Sequence, residues 1–208
     1  RLPIGNEASA KSPRLHRISR EVATERDLFQ AAGTFFELPA RNAAGFARIR
    51  PITTHPFFVH DYCSWRGLMV LTGIDPESKG NDEHIVRSED GKAAVWLGAI
   101  DDLWSAGKPT GMGGPWSESK VSAGDVSDPY LMCGYDRKSV SFRQQSEHVV
   151  TVELEVDITG MGHWQLYRKF TVFPSKDLSY EFPNSFQAYW VRAKVDKDCT
   201  ASVIFDYN

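Results

Sequence analysis

The segment Val95-Trp96-Leu97-Gly98-Ala99-Ile100-Asp101-Asp102-Leu103-Trp104 decides how the chain is read: an apolar run, a glycine, then an aspartate within three residues. The same form returns in Leu71-Thr72-Gly73-Ile74-Asp75 and in Met132-Cys133-Gly134-Tyr135-Asp136. A weaker copy, Gln30-Ala31-Ala32-Gly33-Thr34-Phe35, lacks the aspartate. Successive glycines stand 40, 25 and 36 residues apart, a range close to one propeller blade. Inner strands near a propeller axis crowd together, and glycine lets their backbones approach. An aspartate after the glycine starts a turn through side-chain hydrogen bonds. The pattern predicts antiparallel β-propeller blades, without the His and Trp-Asp signature of the WD class.

Strand signals spread outward from this segment. Apolar runs cover 65–74, 93–100, 128–135, 139–143, 149–158, 164–173, 186–195 and 200–207. In Val150-Thr151-Val152-Glu153-Leu154-Glu155-Val156-Asp157 every second residue is apolar, the period of a half-buried strand. Asp90-Gly91 and the stretch 157–162 have hairpin chemistry, and Asp196-Lys197-Asp198 joins the last two strands. Short loops between neighbouring strands predict an up-and-down arrangement. Residues 21–32 fit either a short helix or two strands meeting at Gly33. The expected organisation is an arm or linker over 1–20, blades over 21–138, and over 139–208 either a closing blade or a small C-terminal β-sandwich. The sandwich count is short of the seven strands of a fibronectin-type domain.

Composition narrows the class. The chain has 208 residues, 41% hydrophobic and 25% charged, with a net charge of −3. That is an ordinary globular balance, long enough to bury roughly 70% of its unfolded surface. Basic residues are scattered, so no nucleic-acid partner is expected. No 18-residue apolar window marks a membrane span. The chain opens Arg1-Leu2-Pro3 without an apolar leader, and it is expected to be a fragment whose preceding blades lie elsewhere in the same protein. Cys63, Cys133 and Cys199 have no zinc spacing and make no disulfide framework, although one bridge among the three stays open.

Chemistry concentrates in Thr54-His55-Pro56-Phe57-Phe58-Val59-His60-Asp61-Tyr62-Cys63-Ser64-Trp65-Arg66. His60 and Tyr62 suit proton transfer, and Arg66 suits pairing with a substrate carboxylate, the set a uronate lyase would need. The same groups also suit hydrogen-bonded ties between strands. His55 and His60, five apart, lack metal-ligand spacing, so no metal is expected. Asp101 is the candidate carboxylate of a glycosidase, although its neighbour Asp102 would face away from it on a strand. Trp104 and Trp116 bracket a loop with four glycines and two prolines and would offer ring faces to a sugar, or pack beneath the loop. His55 is grouped with them as a ligand-binding candidate. The chain has no phosphate loop, Gly-x-Ser-x-Gly elbow, His-Glu-x-x-His or dinucleotide fingerprint, and no cofactor is expected.

Gly45-Phe46-Ala47-Arg48-Ile49-Arg50-Pro51-Ile52 and Asp128-Pro129-Tyr130-Leu131-Met132 resemble a group of uncharacterised bacterial propeller proteins of polysaccharide-using bacteria. The resemblance implies an extracytoplasmic (periplasmic or secreted) role near carbohydrate, with a polysaccharide or oligosaccharide ligand, and assigns no catalytic residues. Three functions follow as expectations: a carbohydrate-associated scaffold or part of a polysaccharide-active enzyme, a structural or protein-interaction propeller without catalysis, or a lyase or glycoside hydrolase. The sequence does not decide whether the chain is an enzyme.

Overall fold

In the computed structural model, which describes residues 1–10, 17–23, 26–77 and 83–208, sixteen strands form four antiparallel four-stranded sheets. The chain divides into two compact units, Ile4–Pro109 and Thr110–Asn208, the latter with Arg1–Pro3. The boundary expected at 138/139 therefore lies inside the second unit.

In the N-terminal unit, β1 (Ile18–Ala23), β2 (Arg26–Ala31), β3 (Thr34–Leu38) and β4 (Arg50–Thr54) lie side by side in chain order. The ambiguous 21–32 stretch is strand. Ala32 and Gly33 both take left-handed φ values (49° and 79°), the geometry of a two-residue hairpin turn between Ala31 and Thr34. The arm expected over 1–20 gives way to sheet at Ile18, and its residues 11–16 lie outside the described residues. A second sheet holds β5 (Tyr62–Trp65), β6 (Leu68–Ile74), β7 (Ile85–Arg87) and β8 (Ala94–Gly98) in the order β5-β6-β8-β7. The Asp90-Gly91 turn joins β7 to β8 as its chemistry suggests. Leu28, Phe35 and Ile52 of the first sheet share one core with Tyr62, Met69, Leu71 and Trp96 of the second.

The Gly–Asp segments are not structurally equivalent. Gly73 sits at an irregularity of the β6/β8 pairing with φ 86°, where a Cβ would run into the Phe58 carbonyl. Gly98 ends β8 against the Trp96 ring. Gly134 lies in a turn of the other unit with φ 80°. Each glycine answers a different local demand, so the shared spelling does not mark a shared position.

The C-terminal unit contains β9 (Gly111–Val121), β10 (Tyr130–Leu131), β11 (Lys138–Gln145), β12 (Val150–Asp157), β13 (Trp164–Val172), β14 (Leu178–Glu181), β15 (Trp190–Val195) and β16 (Cys199–Tyr207). They form sheets of order β14-β11-β16-β9 and β10-β15-β12-β13. The inner residues of both, among them Val140, Phe142, Val203 and Phe205 against Val152, Leu154, Phe170 and Val191, fill one core. Phe142 and Phe170 meet across it with ring centroids 4.5 Å apart. The eight strands thus divide between two antiparallel sheets that share one core. The up-and-down expectation fails here: Asp196-Lys197-Asp198 carries the chain from one sheet to the other rather than around a hairpin.

Two local devices hold this unit. Asp157, 1% exposed, organises the β12–β13 turn. Its carboxylate accepts from Thr159 N, Thr159 Oγ1 and Gly160 N at 3.0–3.2 Å and from Gly162 N at 2.6 Å. Burial pushes this carboxyl up, but the donors outweigh burial and leave it below the usual range. The second device is the glycine-rich stretch expected to be a loop. From Gly111 it is strand β9, and Gly114 crosses β16 so closely that a Cβ would collide with the Val203 carbonyl oxygen.

Gly114→Ala should therefore cost the C-terminal unit more than Gly162→Ala. A Cβ at Gly162 meets nothing within 4 Å and bears only the strain of φ 85°. We expect a loss of about 3 kcal/mol for the first and about 1 kcal/mol for the second in urea unfolding. Equal losses would show that the close approach at Gly114 relaxes freely.

Candidate functional site

The residues singled out by the sequence scatter. His55 follows β4 and is 2% exposed, between the rings of Phe35 (centroids 4.9 Å) and Phe57 (5.8 Å). Neither ring nitrogen has a hydrogen-bond partner. Burial pulls its pKa from 6.5 down to about 4, weakly opposed by the nearby Phe57 backbone. A neutral imidazole packed as an aromatic ring is a core residue and offers no edge to a ligand.

Tyr62 is 2% exposed. Its hydroxyl stands 2.8 Å from the carbonyl oxygen of Ile18 and 2.7 Å from that of Leu28, tying β5 to β1 and β2. Burial raises this phenol far above its ordinary range. A hydroxyl held by two backbone carbonyls and never ionised near neutrality is a strand tie, not a proton-transfer group. His60 is exposed just before β5, and its backbone N–H donates to Thr72 O at 2.9 Å. Asp61 pairs with Arg20 of β1 at 3.1 Å. Its carboxyl is lowered by the Tyr62 backbone N–H and, to a lesser degree, by Arg20. Arg66 caps the β5–β6 hairpin with φ 50°, its guanidinium 5.1 Å from the centroid of Trp65. The strand step from Tyr62 to Trp65 alone spans roughly 10 Å. Tyr62 is buried at the first residue of β5, and Arg66 lies just beyond the last residue of that strand.

Asp101 and Trp104 do come together. They lie three apart in the 3-10 helix Ile100–Ala106, whose eclipsed i, i+3 spacing puts them on one side. Asp102 caps this helix by accepting from Ala99 N at 2.7 Å, the turn role expected of Asp101. Arg26 of β2 bridges the other two, with Nη1 3.0 Å from Asp101 Oδ1 and the guanidinium carbon 5.4 Å from the Trp104 ring centroid. Trp104 is 47% exposed and the Asp101 side chain 76%. No sequence signal points to Arg26, which lies far upstream of both partners. Trp116 is on the other unit, 7% exposed within its core, and offers no free ring face. The two tryptophans do not bracket one loop, because β9 begins between them.

Cys63, Cys133 and Cys199 are free thiols, so the bridge left open by the sequence is absent. Among the described residues no three His, Cys, Asp or Glu side chains gather closely enough to hold a metal ion, and no helix is long and apolar enough to cross a membrane.

The buried His55 makes the N-terminal unit sensitive to acid. Its folded pKa of about 4 lies below the unfolded 6.5, so between these values the unfolded chain binds more protons. Its contribution is whole above pH 6.5 and is lost as pH falls through about 4, an effect of roughly 3 kcal/mol. Urea unfolding at pH 7.5 and 4.5 should show a smaller pH difference in His55→Phe than in the wild type. Identical differences would mean that the imidazole protonates without resistance.

No protein-family model matches the chain, and no curated protein matches it. Among solved structures it is similar to one described as the crystal structure of PirA, with 12% sequence identity over 48% of this chain and 84% of that chain. The TM-score of 0.25 is too low for that likeness to carry any argument about fold or site.

Proposed function

We propose that the chain is a non-catalytic carbohydrate-binding module in which the two N-terminal sheets are propeller blades and the C-terminal sandwich is an appended domain. The observation that carries the binding reading is the half-exposed Trp104, with the Arg26 guanidinium over one side of its ring and Asp101 paired to that guanidinium. An indole face packs against the apolar C–H face of a sugar ring. A carboxylate and a guanidinium beside it give acceptors and donors for the ring's hydroxyl groups. The blade reading is supported by the chain-order meander β1-β2-β3-β4 and by the core it shares with the next sheet. The order β5-β6-β8-β7 departs from a plain meander, and a propeller needs further blades to close.

The catalytic reading, lyase or glycoside hydrolase, loses its support because Tyr62 is a strand tie, Arg66 caps a distant hairpin and Asp101 is engaged by Arg26. A protein-interaction role has one observation in its favour. Ile158, Met161 and Leu166 of the β12–β13 hairpin are each about half exposed, an apolar edge that a partner would cover.

Affinity electrophoresis through gels of neutral and acidic polysaccharides tests the proposal. Trp104→Ala is expected to lose the retardation shown by the wild type. Tyr62→Phe is expected to keep it while losing about 1–2 kcal/mol of stability from the broken tie. Unchanged retardation in a folded Trp104→Ala protein would remove Trp104 as the platform.

A further inference from the structure

One end of the sheet β14-β11-β16-β9 carries a groove of about 480 Å³. Strand register builds it. Ser139 of β11 stands opposite Glu181 of β14 on one side and Asp206 of β16 on the other. Two residues away, Arg137 and Asn208 exchange backbone hydrogen bonds of 2.7 and 3.0 Å. Residues one step out of phase, Val140, Phe205 and Tyr207, fill the core. Alternation therefore sets Arg137, Ser139, Glu181, Asp206 and Asn208 on the outer face. The turn after β14, closed by Phe186 N donating to Pro183 O at 2.8 Å, adds Asn184 as a wall.

Three polar side chains of this groove are not spent on its other members. Among the described residues the side chains of Arg137, Glu181 and Asn184 make no hydrogen bond or ion pair, whereas the Asp206 carboxylate accepts from Asn208 Nδ2 at 3.2 Å and the Asp206 carbonyl oxygen from Ser139 Oγ at 3.5 Å. Lys138, at the floor, is 4% exposed, with Nζ donating to the carbonyl oxygens of Tyr135 (2.6 Å) and Phe186 (3.1 Å). The lining side chains thus hold two cations and two anions, which cancel. A polyanion would meet two carboxylates there and find only Arg137 free to answer it, while an apolar ligand would strip water from charges without replacing it. Hydroxyl groups both donate and accept, so they suit a surface of guanidinium, amide and carboxylate groups, and hydrogen bonds to charged partners are the strong ones. The volume lies within the roughly 300–1,000 Å³ of small-molecule sites.

We propose that this groove binds a short, uncharged oligosaccharide, as a site distinct from Trp104. The inference deepens the carbohydrate reading and rests on it for the ligand class. Its location stands on the groove alone.

The test is calorimetric titration of the full chain with cellotriose, maltotriose and mannotriose, with trigalacturonate as the acidic control. The variants are Glu181→Ala, Asn184→Ala and Trp104→Ala. The side chains of Glu181 and Asn184 are exposed and have no partners to lose among the described residues, so both variants should melt like the wild type. At least one neutral trisaccharide should bind more tightly than trigalacturonate, with affinity reduced about tenfold by each groove variant. Binding lost in Trp104→Ala but kept in both groove variants overturns the groove and leaves the carbohydrate reading standing. Preference for trigalacturonate overturns the neutral class. No binding of any trisaccharide overturns the groove, while polysaccharide retardation that depends on Trp104 would still uphold the broader reading.

Discussion

The pairing of β16 between β9 and β11 is the constraint on which the C-terminal unit depends. β16 carries Ala201, Val203, Phe205 and Tyr207 on its inner face and Ser202, Ile204 and Asp206 on its outer face. A slip of one residue would exchange the two sets, exposing Phe205 and Tyr207 and burying Asp206. The register is therefore held by the core and not by the backbone ladder alone. On the β9 side the ladder is broken by two irregularities, between Ala201 and Val203 and between Val203 and Phe205, where Gly114 lets the backbones close up. The same register sets Asp206 and Asn208 beside Ser139 and Arg137, so the packing of the core and the making of the groove are one event.

In the N-terminal unit, polar groups that look chemical are spent on holding strands together. Tyr62 reaches two carbonyls on β1 and β2, Thr53 donates to Gly107 O at 2.8 Å, and Asp61 pairs with Arg20. A buried carbonyl without a donor costs about as much as a lost hydrogen bond. A tyrosine that answers such groups is bound by stability and is withdrawn from catalysis. His55 goes further. Its imidazole is treated as a ring between Phe35 and Phe57, which is tolerable only while it stays neutral.

The dense His–Asp–Tyr–Arg segment looked like a site because sequence proximity stands in poorly for spatial convergence. Along a strand, residues two apart share a face but drift by about 6.6 Å, so a run of reactive types disperses them. The pair that did converge, Asp101 and Trp104, did so because the chain there is a 3-10 turn and not a strand. The reading of Asp101-Asp102 as strand residues hid that. Arg26, which joins them, comes from β2, and the groove residues come from three strands and a loop. None of these shares a local pattern that a sequence reading detects.

The sequence by itself determined the elements that obey local rules. The period-two runs of β12 and β16, the Asp90-Gly91 turn and the glycine-bearing 157–162 turn were all legible, because burial alternation and turn chemistry are written within a few residues. Tertiary structure alone decided which strands pair, that Asp196-Lys197-Asp198 crosses between sheets, and that 111–121 is strand and not loop. Those outcomes depend on which apolar faces bury each other across the core, and that burial energy belongs to pairs of segments distant in the chain.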